Sequence, residues 1–291
     1  MTVRAIKDLL LKSTTIRDTA THCKEIYRHW RTDCYVVSFP KCGRTWIRMM
    51  LAKALALSVG DSREIVWDPR DVIERSKRRH PFIQFTHDGV DFPPLAETRD
   101  RVEHYRRYRR KRVILLVRDP RDTLVSYYFH RTRRQGERYS TIDEFAGHPW
   151  WGADRLVSFV RDWHRHSAVP QGFLIVRYED LHRDAVSELQ KILAFAGLPS
   201  VSIDQIRQAV QYASFENMRQ LSTNQLLENR RLAPTDPLDP DSYKVRQGKV
   251  GGYSSHLTTP ALERIEGVMA RHLPCALGYS PCQDSASGGD L

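Results

Sequence analysis

Tyr35-Val36-Val37-Ser38-Phe39-Pro40-Lys41-Cys42-Gly43-Arg44-Thr45-Trp46 passes from a short apolar, β-branched run, which reads as a buried strand ending at Pro40, into a polar turn that contains a glycine. Beyond the turn, Ile47, Met50, Leu51, Ala54 and Leu55 recur at the i, i+3, i+4, i+7, i+8 spacing of one helix face. A turn of this kind points several backbone N–H groups at one spot, and the helix dipole adds partial positive charge there. Gly43 permits the tight path, and Lys41 and Thr45 add donors, so the turn reads as a phosphate cradle. It is not the nucleoside-triphosphatase loop, because GxxxxGK[ST] is absent and the lysine precedes the glycine.

The same alternation repeats downstream. Residues 82–86 and 173–176 read as strands, and Val113-Ile114-Leu115-Leu116-Val117 is apolar throughout, as a strand covered on both faces must be. Asp119 and Pro120 suit the N-cap and first position of a following helix. Leu189, Ile192, Leu193 and Ala196 form another helical stripe, stopped by Gly197 and Pro199. The pattern predicts an α/β fold with a central parallel sheet flanked by helices, and a ligand beyond the carboxyl ends of the strands.

Composition narrows the rest. The chain has 291 residues without a Gly/Ser linker, which predicts one domain over residues 1–284 with its core at about 34–280, an N-terminal helical segment over 1–33 and a flexible tail over 285–291. No run approaches the ~18 apolar residues of a membrane span, and residues 1–12 lack the uninterrupted apolar stretch of a secretory leader; the expectation is a cytoplasmic protein. Cys23, Cys34, Cys42, Cys275 and Cys282 contain no CxxC pair, so neither a zinc site nor a disulfide framework is expected. The net charge of +11 favours polyanionic partners or describes a solvated basic surface. Arg106, Arg107, Arg109, Arg110, Lys111 and Arg112 form a dense basic run before the third strand, at the end opposite the expected ligand. It reads as a solvated helix face, with a nucleic-acid patch as the rival, since Tyr105 and Tyr108 interleave there. The polar stretch 220–250, with Pro234, Pro237 and Pro240, reads as a long mobile loop or lid.

A second motif, Arg118-Asp119-Pro120-Arg121-Asp122-Thr123-Leu124-Val125-Ser126-Tyr127-Tyr128, puts an arginine at a strand end and a hydroxyl about two helical turns on. Converging on one anion they suit a phosphate monoester, but taken alone the motif reads better as a surface ion pair and a packed serine. The two motifs together resemble the PAPS-dependent sulfotransferase family, whose loop reads approximately PKxGTTW against PKCGRTW here. Its 3′-phosphate motif, approximately RxPxDxxxSxY, is matched at every fixed position of 118–128. Arg177-Tyr178-Glu179-Asp180-Leu181 resembles the family's RYEDL block, and Arg246-Gln247-Gly248 with Gly251-Gly252-Tyr253 resembles RKGxxGDW. The resemblance spans roughly residues 34–280.

The resemblance implies a P-loop-kinase-like sulfotransferase fold and transfer of a sulfuryl group from 3′-phosphoadenosine-5′-phosphosulfate, without a metal, leaving adenosine 3′,5′-bisphosphate. It implies that Lys41, Cys42, Gly43, Arg44, Thr45 and Trp46 hold the phosphosulfate, with Trp46 on the adenine. Arg118 and Ser126 would bind the 3′-phosphate, Tyr178 and Phe215 the adenosine, and Arg246, Gln247 and Gly248 would close over the 3′-phosphate. His87, at the end of the second strand, would be the general base, a role suited to an imidazole at neutral pH, with Asp88 as the fallback. Lys41 would stabilise or protonate the leaving oxygen, and Ser126 would hold Lys41 away until the acceptor binds.

Several positions depart from the family. Cys42 and Arg44 replace small hydroxyl residues, Phe85 a second catalytic lysine, Ala213 a threonine and Gln247 a lysine. A short dimer motif survives only at Thr258 and Glu263, which suggests a monomer or weak homodimer. The acceptor is expected to be a small molecule, and Trp67, Phe92, Tyr139, Trp150 and Trp151 would suit a lipophilic or aromatic one. A P-loop-type kinase and a basic nucleic-acid-binding module are the competing readings.

Overall fold

The computed structural model describes residues 14–76, 80–90, 99–198, 200–223 and 232–279. Phe92, Pro199, Cys282 and the expected tail 285–291 lie outside them. In chain order the main elements are α1 (Thr14–Arg31), β1 (Cys34–Ser38), α2 (Arg44–Val59), α3 (Pro69–Arg75), β2 (Ile83–Thr86), α4 (Arg99–Arg106), β3 (Arg112–Val117), α5 (Pro120–Phe129), α6 (Ile142–Ala146), α7 (Ala153–Arg165), β4 (Gly172–Arg177), α8 (Tyr178–Arg183), α9 (Ala185–Ala196), α10 (Ile203–Tyr212), α11 (Phe215–Thr223) and α12 (Thr259–His272).

The four strands are all parallel, in the order β2-β1-β3-β4. Val36 pairs with Phe85 on one side and Ile114 on the other, and Leu115 pairs with Ile175. The two central strands are those that read as continuous apolar runs: Val36, Val37 and Val113 to Leu116 are fully buried. From β1 the chain adds β2 on one edge and β3 on the other. The crevice beyond the carboxyl ends of β1 and β3 is therefore the topological switch point, where parallel sheets bind ligands.

α2 is buried on more than its expected stripe. Met49, Ala52 and Ala56 are as inaccessible as Ile47, Met50 and Leu55, because α3, α9 and α10 cover the face turned away from the sheet. α5 begins as its sequence dictates: the Asp119 carboxylate accepts the Arg121 N–H at 2.9 Å, and Pro120 fills the first turn. α9 ends in left-handed Gly197.

Two expectations change. Tyr105 and Tyr108 in the basic run are buried against Trp163, so they offer no stacking platform to a nucleic acid. The described part of the 220–250 stretch is pinned: Arg134 donates to the carbonyls of Ala233 at 2.9 Å and Ser242 at 2.6 Å, and Arg219 donates to Val245 O at 3.1 Å. Its residues 224–231 lie outside the described set. No helix among the described residues is long and apolar enough to cross a membrane.

Candidate active site

The chain leaves β1 through Phe39, which is fully buried against Tyr127 and Phe159 and holds the strand end in place. Lys41 then adopts φ 72° and Gly43 φ 92°. The first is uncommon for a residue with a side chain. Gly43 is needed twice over: its backbone is left-handed, and a Cβ there would lie 2.6 Å from Tyr178 Cδ2. The Tyr178 ring, brought in by α8, thus seals one side of the turn. Trp46 meets Tyr178 and His182 edge-on, each with ring centroids at 5.7 Å.

Arg118, the first residue after β3, ties three segments together. Its guanidinium donates to Lys41 O at 3.3 Å and Lys249 O at 2.9 Å, and stands 4.3 Å above the Tyr178 ring. Asp122, one turn on, accepts from the backbone N–H groups of Gly251 at 2.7 Å and Tyr253 at 2.9 Å, docking the late loop onto α5. Gly248, at φ 63°, packs where a Cβ would sit 2.8 Å from Phe215 Cδ2. Arg246 pairs with Asp241 at 3.1 Å and lies over Phe129. The Nε atoms of Arg118 and Arg246 are buried and have no hydrogen-bond partner among the described residues. Two such donors beside one opening call for an anionic acceptor of hydrogen bonds.

These segments enclose a cavity of about 410 Å³. Lys41, Gly43, Arg44, Thr45, Trp46, His87, Arg118, Ser126, Tyr178, Phe215, Arg246, Gln247 and Gly248 all line it. Of the expected set only Cys42 does not. Its side chain turns under the loop, with Sγ 3.9 Å from Thr123 Oγ1, because the alternation of backbone direction between left-handed Lys41 and Gly43 points it into the core. Sequence reading missed Lys244, Lys249, His130 and His182 in the lining. His130 had a usable signal, since it stands one helical turn beyond Ser126. The chain widens there into a π turn, His130–Arg134, a feature frequent at functional sites.

The cavity is strongly cationic. Lys41, Arg44, Arg118, Lys244, Arg246 and Lys249 line it, with Asp122 as the single carboxylate among the described lining residues. Burial, and after it the neighbouring Lys244, Arg134, Arg118 and Arg246, lower the Lys41 ammonium to about 7. Burial and then Arg48 bring Arg44 down to about 9, and Arg44 makes no hydrogen bond or ion pair among the described residues. Burial followed by Arg44 pushes His87 down to about 3, and burial followed by Lys41 does the same to His130. Charges of one sign held this close await a polyanion.

His87 has a defined tautomer. Nδ1 lies 2.6 Å from Ser38 O, and a carbonyl can only accept, so Nδ1 carries the hydrogen and Nε2 keeps its lone pair. Asp88 faces elsewhere. Burial works to raise its carboxyl, but His104 at 2.8 Å, Arg107 at 2.7 Å and the Tyr108 hydroxyl outweigh it and hold it low. It is engaged as a carboxylate in a buried network rather than poised as a base.

The remaining residues singled out by the sequence stand as follows. Lys41 Nζ donates to Lys244 O at 3.4 Å rather than to Ser126. Phe85, in the place of a lysine, lies beneath the Arg48 guanidinium at 4.5 Å. Of the aromatic residues expected around an acceptor, the described ones stand outside this cavity. Trp151 packs beneath Arg131 at 3.9 Å, Tyr139 packs on Phe145, Trp150 is exposed, and Trp67 is buried under Lys244. Thr258 caps α12 and donates to Asp143, so its hydroxyl is occupied within the chain.

A parallel sheet whose switch point opens into a cationic cleft defines an α/β protein built to receive an anionic ligand. A sulfotransferase-domain model matches residues 31–274, and the chain belongs to the sulfotransferase family. It is similar to sulfotransferase 1A1 of Bos taurus, at 27% identity over 287 residues covering 88% of each chain. It is likewise similar to 3-beta-hydroxysteroid sulfotransferase of Cavia porcellus, at 26% identity over 267 residues covering 86% of this chain and 85% of the relative. Two solved structures share the fold. Mouse sulfotransferase SULT7A1 complexed with PAP has a TM-score of 0.55 at 18% identity, covering 83% of this chain and 84% of that one. Retinol dehydratase in a complex with retinol and PAP has a TM-score of 0.56 at 16% identity, covering 89% and 84%. The reaction class is sulfuryl transfer.

Proposed function

We propose that the chain transfers the sulfuryl group of 3′-phosphoadenosine-5′-phosphosulfate to a hydroxyl or amine of a small-molecule acceptor, with His87 as general base. The observation that carries this reading is the contact between the Lys41 turn and Arg118, with two buried guanidinium Nε atoms beside it that have no hydrogen-bond partner among the described residues. The residues present fit the donor: cations at both ends of the cavity suit its two charged ends, and Trp46, Tyr178 and Phe215 suit an adenine between them. The PAP named in the two related structures agrees with the same assignment.

The donor, when bound, supplies the sulfuryl group and a leaving phosphate oxygen. Lys41, Arg44 and the backbone of the turn hold that end, and Arg118, Ser126 and Arg246 hold the other. His87 Nε2 takes the proton of the attacking acceptor group as its new bond to sulfur forms. Bound negative charge offsets Arg44 and lifts His87 towards a useful basicity. The same charge favours the protonated form of Lys41, whose Nζ then neutralises or protonates the departing oxygen. Little else is required of the protein beyond positioning.

A labelled-donor assay tests the reading. Label is expected to pass from 3′-phosphoadenosine-5′-[³⁵S]phosphosulfate to at least one member of a hydroxyl and amine acceptor panel, with no turnover of magnesium ATP. Phosphoryl transfer from ATP in place of sulfuryl transfer would replace this assignment with a kinase.

A further inference from the structure

α1 ends in a face that packs on nothing described. Ile26 is 56% exposed, Tyr27 55% and Trp30 75%. At 100° per residue the three span one arc of the helix. The Tyr27 and Trp30 rings stack with centroids 6.3 Å apart. A different side of the helix holds it to the body: His29 Nδ1 lies 2.7 Å from the Tyr35 hydroxyl, and its ring meets Tyr108 edge-on. The aromatic stripe is therefore presented outward by a helix that is itself anchored.

Beside it lies the basic run that sulfuryl transfer leaves without a role. Lys111 Nζ donates to Trp30 O at 3.2 Å and Thr32 O at 2.7 Å, which sets the end of α1 against residues 106–111. Arg109 and Arg110 are exposed, and their guanidinium groups have no ion pair or hydrogen bond among the described residues. Lys24 and Arg28 on α1 are exposed as well. Among the described side chains the acidic groups of the neighbourhood are Glu25, Asp33 and Glu103, of which Asp33 accepts the Phe82 N–H and Glu103 pairs with Arg106. Cation thus outweighs anion around an exposed tryptophan, tyrosine and isoleucine.

We propose that the Ile26–Tyr27–Trp30 face of α1, with Arg109 and Arg110, is a docking surface for an anionic lipid bilayer. Tryptophan and tyrosine partition to the headgroup level, apolar side chains insert just below it, and arginines gain from the negative surface potential. A nucleic acid fits less well, because Tyr105 and Tyr108 are buried and an isoleucine has little to offer a phosphate backbone. A second copy fits less well too, because a two-fold contact would set the same unpaired arginines against each other. The surface lies at the amino ends of the strands, next to Asp33 and Arg112, while the cavity lies at their carboxyl ends. A docked molecule keeps its active site on the side away from the lipid.

Vesicle flotation of the full chain tests this. It is expected to float with vesicles of phosphatidylglycerol and phosphatidylcholine in equal parts, not with phosphatidylcholine alone, and to be released by raised salt. Arg109→Gln with Arg110→Gln should lower the partition coefficient roughly 30-fold, at about one kcal/mol per arginine. Trp30→Ser should lower it at least about tenfold. Both variants should keep the wild-type melting temperature. Absence of flotation with the anionic vesicles overturns the proposal. So does binding that both variants leave intact, a preference for single-stranded RNA over vesicles, or a Trp30-dependent dimer that does not float.

Discussion

His87→Ala lowers kcat by roughly 10²–10⁴-fold, the contribution of a positioned general base, and leaves donor affinity close to wild type. The split follows from the geometry. His87 Nδ1 is spent on Ser38 O, and only Nε2 is offered to the cavity. The atoms proposed to clasp the nucleotide belong to the Lys41 turn and to Arg118, on neighbouring strand ends. His87→Gln sets an amide near the place of Nε2 but has no basic nitrogen, so it should fail like alanine. Single-turnover rates with saturating donor, beside bisphosphate affinity for each variant, check this. Turnover near wild type in His87→Gln would remove the imidazole from proton transfer.

Gly43→Ala is expected to be nearly as damaging, through donor binding. The added Cβ would lie 2.6 Å from Tyr178 Cδ2, and Tyr178 is the ring over which Arg118 stands. Relief requires moving the ring or the turn, and either shifts the donors of the cradle. Left-handed strain adds to the clash, and with a total of about 1–3 kcal/mol the donor KM should rise roughly 10–100-fold. Gly60→Ala is the matched control. Gly60 has φ 74° but nothing within 4 Å of its added Cβ, so it carries the backbone cost alone. Thermal melts of the two variants separate lost stability from lost binding. A donor KM unchanged in Gly43→Ala would show that Tyr178 does not brace the loop.

Much of this was legible before any coordinates. The strand-turn-helix at 35–55 and the Asp119–Pro120 helix start fixed where β1 and β3 end, and parallel-sheet topology puts a ligand there. His87 was singled out by the family resemblance and by its place at a strand's carboxyl end, where the structure puts it in the cavity lining. What escaped was set by side-chain direction and by long-range packing. Cys42 belongs to the loop motif yet turns into the core, since two left-handed residues flank it. Asp88 reads as a fallback base beside His87 until His104, Arg107 and Tyr108, all from the segment that follows α4's start, are seen to surround it. Trp150 and Trp151 carry no periodicity that tells a core residue from a pocket wall. Lys244 joins the site across some two hundred residues from Lys41, a contact no local pattern encodes.

The most direct test is a calorimetric titration of the chain with adenosine 3′,5′-bisphosphate in buffers of different ionisation enthalpy. Burial and the surrounding cations hold Lys41 at about 7. A bound anion moves that value upward, so between about 7 and the ordinary lysine range the complex should take up protons as it forms. The expected result is one-to-one binding, accompanied by proton uptake at mildly alkaline pH and weakened in Arg118→Ala by about 1.5–3 kcal/mol. Absence of binding heat at any pH, or equal affinity in wild type and Arg118→Ala, would contradict a nucleotide clasped between the two motifs.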